Sequence, residues 1–247
     1  MTDPRPLRAA TEGIIEVPRT ARYYVIGEDG GTIEELWFVL HGFGQLAREF
    51  VQYFGDLADG RRLVIAPEAL NRYYTLGAAV PAKDRPVGAT WMTREDRDNE
   101  IKDYVRYLDL LHDSVAKTHP LARTVVLGFS QGGATASRWA MAGRARIDRL
   151  ILWGATVPPD ADLDQGTAAF RGARLTFVRG RRDQYITAAA LAAERERLDA
   201  AGLNFDLVDY DGGHSIKRAV LLDIASRPTH PDPVASLDRK RREATEP

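Results

Sequence analysis

Residues 123–136 read Arg-Thr-Val-Val-Leu-Gly-Phe-Ser-Gln-Gly-Gly-Ala-Thr-Ala, and few folds accommodate that order. Val125, Val126 and Leu127 form the apolar, β-branched run expected of a buried strand. Gly128-Phe129-Ser130-Gln131-Gly132 then matches Gly-x-Ser-x-Gly, and small residues with Trp139 follow at helical spacing. The predicted unit is strand, tight turn and helix, with Ser130 at the bend. Flanking glycines make room where a Cβ would crowd strand against helix. The bend leaves the hydroxyl above the carboxyl edge of the sheet, and the helix aims its first N–H groups at negative charge forming there. Glycine and serine are common in loops, so the five-residue pattern alone says little. Its context is what marks Ser130 as a candidate nucleophile.

The rest of the chain alternates in the same way. Residues 36–40, 63–66, 150–153 and 175–178 are continuous apolar runs, the pattern of strands buried on both faces, and 204–210 alternates as a last strand. Helical spacing marks residues 46–58, 99–118 and 131–142, a helix capped by Thr187 and stopped by Gly202, and a final helix over 214–226. Residues 14–17 and 22–26 read as an antiparallel hairpin at a sheet edge. Alternation of this kind predicts an α/β class with a mostly parallel central sheet and helices on both faces. One domain over residues 1–226 accounts for all of it. Residues 67–98, with three prolines, Tyr73, Tyr74 and Trp91, lack clear periodicity and are expected to be a loop or lid excursion. Residues 227–247 are expected to be a charged, mobile tail.

Composition removes several classes of function. The 247 residues are 44% hydrophobic and 28% charged with a net charge of −1, which leaves no electrostatic footprint for nucleic acid. With no cysteine there is no disulfide framework, thiolate metal site or cysteine nucleophile. No apolar run is long enough to span a membrane, and the first residues lack a signal-peptide core, so a cytoplasmic location is expected.

A serine hydroxyl needs a base. Of the five histidines, His41 closes a strand, His112 lies within a helix, His119 precedes a proline and His230 is in the tail. His214 sits in Asp211-Gly212-Gly213-His214-Ser215, a turn after the last strand and at the same sheet edge as Ser130. Asp183, in a short loop after the preceding strand, is the favoured carboxylate to orient it; Asp160, Asp162, Asp164, Asp209 and Asp211 are the rivals. The order Ser130, Asp183, His214 is that of α/β-hydrolases. Oxyanion donors are expected at the backbone N–H groups of Gln131 and of Phe43, in the His41-Gly42-Phe43-Gly44 loop. Phe43, Tyr73, Tyr74, Trp91 and Tyr185 are candidate pocket walls.

Leu40-His41-Gly42-Phe43-Gly44, Gly128-Phe129-Ser130-Gln131-Gly132-Gly133, Gly180 with Asp183, and Gly213-His214 together resemble the phospholipase/carboxylesterase family of α/β-hydrolases, over roughly residues 35–226. The resemblance implies a serine hydrolase of small carboxylic esters or thioesters, without metal or cofactor. It implies Ser130 as nucleophile, Asp183 as acid and His214 as base. Trp91 resembles the family's tryptophan before the corresponding helix, although Met92-Thr93 replaces the usual aromatic-Asp continuation. Thioesterase and lysophospholipase activities are alternatives on this scaffold. A non-catalytic small-ligand receptor is the rival of another class.

Overall fold

The computed structural model describes residues 10–27, 32–76, 80–163, 170 and 172–229. Seven strands form the central sheet: β1 (Tyr23–Ile26), β2 (Glu35–Leu40), β3 (Arg62–Pro67), β6 (Arg123–Phe129), β7 (Arg149–Trp153), β8 (Arg174–Gly180) and β9 (Phe205–Tyr210). Their spatial order is β1-β3-β2-β6-β7-β8-β9. All neighbours are parallel except β1 and β3. β2 explains why such strands are apolar without alternation. Leu36, Phe38 and Leu40 face one hydrophobic layer, Trp37 and Val39 the other, and all six β2 residues are buried.

The first layer is closed by α2 (Arg97–Ala116), α3 (Gln131–Ala142) and α4 (Ala188–Ala200), through Tyr104, Leu108, Trp139, Leu191 and Leu198. The second is closed by α1 (Ala47–Phe50), which continues as a 3₁₀ helix over Val51–Leu57, and by α5 (Arg218–Ser226). Thr187 caps α4 as expected, its hydroxyl accepting the Ala190 N–H at 3.1 Å.

Three expectations need correction. The antiparallel edge strand exists, but its partner is β3, with Tyr23 opposite Pro67 and Ile26 opposite Val64. Residues 14–17 form no strand, and Ile14, Ile15 and Val17 are 71%, 83% and 70% exposed. The free edge of β3 offers β1 a ladder against an already buried strand, which an isolated hairpin cannot match. Residues 67–98 are not structureless: β4 (Asn71–Tyr74) and β5 (Val87–Thr90) pair as a small antiparallel sheet. The last helix starts at Arg218, which leaves His214 in a loop. Residues 77–79 of the excursion and residues 230–247 of the expected tail, with His230, lie outside the described residues, whereas the first tail residues pack on the domain: Thr229 is buried with its hydroxyl on Glu35, and the Arg227 carbonyl accepts from Arg149.

Candidate active site

β6 enters α3 through Ser130, whose φ of 54° and ψ of −119° are strained for a residue with a Cβ. Among the described residues only Asp96 and Ser130 combine positive φ with a side chain. The strain is held by packing. A Cβ on Gly128 would strike the Gly132 carbonyl, one on Gly132 the Leu40 carbonyl, and one on Gly133 the Ala155 side chain. The Ser130 N–H donates to the Trp153 carbonyl at 2.9 Å and its own carbonyl accepts the Gly133 N–H at 2.9 Å.

The loops after β8 and β9 meet beside this bend. Gly180 lies so close to the Gly212 and Gly213 carbonyls that no side chain fits between them. The Arg182 N–H donates to the Gly212 carbonyl at 2.9 Å. The Tyr210 hydroxyl, 2.7 Å from the Gly213 carbonyl and 2.6 Å from that of Ser215, ties down the turn that carries His214. His214 Nδ1 then lies 2.7 Å from Asp183 Oδ2. The other carboxylate oxygen, Oδ1, accepts the N–H groups of Tyr185 at 2.8 Å and Ile186 at 3.1 Å. Burial pushes the Asp183 carboxyl up, but the His214 ring and these two N–H groups outweigh it and hold the group below its ordinary value. Asp183 is therefore a buried, ionised acceptor, and the proton it shares with the ring sits on Nδ1. That leaves Nε2 as the nitrogen able to accept.

Three of the rival carboxylates have arginine partners, and Asp164 lies outside the described residues. Asp160 pairs with Arg97 and Arg138, Asp209 with Arg179, and Asp211 with Arg182. His112 bonds the Thr124 hydroxyl at 3.0 Å. His41 is fully buried; its Nε2 accepts the Ala69 N–H at 3.1 Å, so the proton is on Nδ1, which donates to the Gly42 carbonyl at 2.8 Å. That bond shapes the loop over residues 41–45. The Gly42 N–H donates to Gln45 Oε1 at 2.8 Å, and the Gly44 N–H to the Ala89 carbonyl of β5 at 2.9 Å. A cavity of about 340 Å³ is lined by Gly42, Phe43, Gln45, Phe129, Ser130, Tyr185 and His214. Serine, imidazole and the loop of residue 43 thus face one volume.

A sequence model of the family described as Phospholipase/Carboxylesterase matches residues 24–227, most of the chain. The chain belongs to that family. Solved structures agree with this esterase-family fold. A carboxylesterase from Mesorhizobium loti superposes with a TM-score of 0.63 at 20% identity, covering 84% of this chain and 95% of that one. Zea mays acyl-protein thioesterase 2 gives 0.62 at 17% identity, over 83% and 96%. Esterase PE8 gives 0.61 at 18% identity, over 84% and 97%. At these identities the likeness is one of fold. Compared by sequence with functionally curated proteins, the chain matches none.

The candidate pocket walls of this family member separate into two groups. Phe43 and Tyr185 line the cavity, and Tyr185 also meets the His214 ring edge-on at 4.7 Å. Tyr73 packs against Phe43, with ring centroids 5.5 Å apart, and does not itself line the cavity. Trp91 and Tyr74 do not line this cavity. Trp91 is buried against His41 and Tyr104 and donates its indole N–H to the His41 carbonyl at 2.8 Å, so it props the loop from below. Tyr74 is solvent-exposed beneath the Arg85 guanidinium. Sequence reasoning also passed over Gly154, which ends β7 at φ +58°. A Cβ there would lie 2.8 Å from His214 Cε1 and 2.9 Å from Nδ1. Its only signal was a glycine closing a strand. Among the described residues no three His, Cys, Asp or Glu side chains are grouped to hold a metal ion, and no helix is long and apolar enough to cross a membrane.

The buried histidines give a pH prediction. Burial lowers the pKa of His41 and of His112, against opposing pulls from the Gly42 carbonyl and nearby carboxylates. The unfolded chain, with histidines near ~6.5, then binds more protons than the folded one as pH falls below that value. Stability from these two groups is complete above the unfolded pKa and is lost as pH falls toward the folded values. The midpoint of thermal unfolding is expected to fall steadily from pH 7 to pH 5, less so in His112→Gln. A midpoint independent of pH over that range would contradict the neutral, buried assignment.

Proposed function

We propose that this chain is a serine hydrolase that cleaves carboxylic esters through an acyl-enzyme. The reading rests above all on one juxtaposition: the strained Ser130 and the Asp183-bonded His214 line the same cavity. In this proposal His214 Nε2 takes the hydroxyl proton as Ser130 Oγ attacks the ester carbonyl. The oxyanion that forms is held by the Phe43 and Gln131 N–H groups. The tetrahedral adduct collapses, and the His214 imidazolium gives its proton to the departing alcohol. Water, deprotonated by the same ring, attacks the acyl-Ser130 carbonyl; the second adduct releases the acid and restores the hydroxyl. Asp183 stays ionised throughout and stabilises the imidazolium. The same steps serve a thioester, with a thiol as leaving group.

The single domain over residues 1–226 belongs to the proposal, with the β4–β5 excursion bordering the site. The cavity is at the lower end of the ~300–1,000 Å³ usual for ligand pockets, which favours compact acyl groups. A series of p-nitrophenyl esters from acetate to dodecanoate, with an acyl-thioester alongside, tests this. The expected result is turnover of the short esters that falls off toward dodecanoate. Thioester turnover without ester turnover would reassign the substrate, and inactivity on both would refute the hydrolase reading.

A further inference from the structure

We infer that the side-chain amide of Gln131 is a positioning residue that sets the distance between the two proposed oxyanion donors. The inference rests on the proposed roles of the Phe43 and Gln131 N–H groups. Gln131 follows the nucleophile, and its backbone N–H is one donor; its side chain reaches away from the cavity to the β4–β5 sheet. Nε2 donates to the Thr90 hydroxyl at 2.9 Å and to the Met92 carbonyl at 2.9 Å. Oε1 accepts the Trp91 N–H at 3.2 Å. The Thr90 hydroxyl, also 3.2 Å from Oε1, can donate or accept, but the Met92 carbonyl accepts only and the Trp91 N–H donates only, so the amide fits in one orientation.

These bonds hold the end of β5, and β5 holds the other donor. The Gly44 N–H donates to the Ala89 carbonyl at 2.9 Å, and the Ala89 N–H to the Gln45 carbonyl at 3.3 Å. Gly88 sits so tightly on Gly44 that an added Cβ would lie 2.6 Å from its carbonyl oxygen. Phe43 immediately precedes this ladder. A continuous path therefore runs from the Gln131 side chain through Thr90–Met92 and Ala89 to Gly44 and the Phe43 N–H. The Trp91 indole closes a second loop onto the His41 carbonyl at 2.8 Å. Misplacing one reactive group by about 1 Å can cost ~10²-fold in rate, so an amide that holds one donor against the other acts on the chemical step.

The test is Gln131→Met, which keeps length and removes the amide's bonds to Thr90, Trp91 and Met92, beside Thr90→Val, which loosens the same link without touching the bend. Short-chain ester kinetics, thermal unfolding and inhibition by a trifluoromethyl ketone are measured on each. Gln131→Met is expected to lower kcat by about 10- to 100-fold with KM changed less than about three-fold, and to weaken the ketone in parallel with kcat. Thr90→Val is expected to shift the same two quantities in the same direction by less. A Gln131→Met protein with unchanged kcat and ketone affinity would overturn the inference while the esterase reading stands. A fall in melting midpoint with kcat and ketone affinity intact would also overturn it, since that is the mark of a structural role alone. Wild type without turnover or ketone binding would remove both readings together.

Discussion

Ser130→Ala is expected to fold normally and to lose about 10⁴- to 10⁶-fold in kcat, as removal of the nucleophile from a serine triad does. The fold survives because Ser130 is held through its backbone, by bonds to Trp153 and Gly133 that alanine repeats. Its positive φ is no worse for alanine than for serine. Rate is lost because no other group at the bend can form an acyl intermediate. Steady-state kinetics with a short-chain ester, and circular dichroism on the same sample, check both halves. A folded variant keeping half the wild-type rate would exclude Ser130 from the reaction.

Gly154→Ala is the second large effect, and it involves no proposed reacting group. At φ +58° any side chain is strained, by about 1 kcal/mol or more. The new methyl would meet the His214 ring at 2.8–2.9 Å and Asp183 Oδ2 at 3.3 Å, so the imidazole must move. A shift of about 1 Å in the base is expected to cost ~10²-fold in kcat. The check is kcat measured beside the unfolding midpoint. Wild-type kcat in a folded Gly154→Ala protein would argue against His214 as the base.

These two positions mark what could be read from the chain and what could not. Ser130 was legible because its signal is local: strand, glycines and helix are adjacent in sequence. The meeting of His214 and Asp183 beside this bend was legible because parallel strands deliver the loops after β8 and β9 to the same edge as the loop after β6. Gly154 was not legible, since its role depends on a ring sixty residues downstream. Nor was the Gln131 amide, whose partners at Thr90–Met92 come from an excursion with no periodic pattern. Aromatic residues near a site usually line it, but Trp91 is buried beneath the loop instead. The edge strand shows the same limit. Residues 22–26 have strand composition, but composition does not say whether the partner is residues 14–17 or β3. Contacts across the sheet decided that, as they decided the small β4–β5 sheet.

If Ser130 is an activated nucleophile, as proposed, it can be trapped covalently. Folded protein is treated with a fluorophosphonate, weighed intact by mass spectrometry, and the adduct is mapped by peptide sequencing. One adduct per chain is expected, on Ser130, absent in Ser130→Ala and formed far more slowly in His214→Ala. An unmodified protein, or an adduct on any other residue, would contradict it.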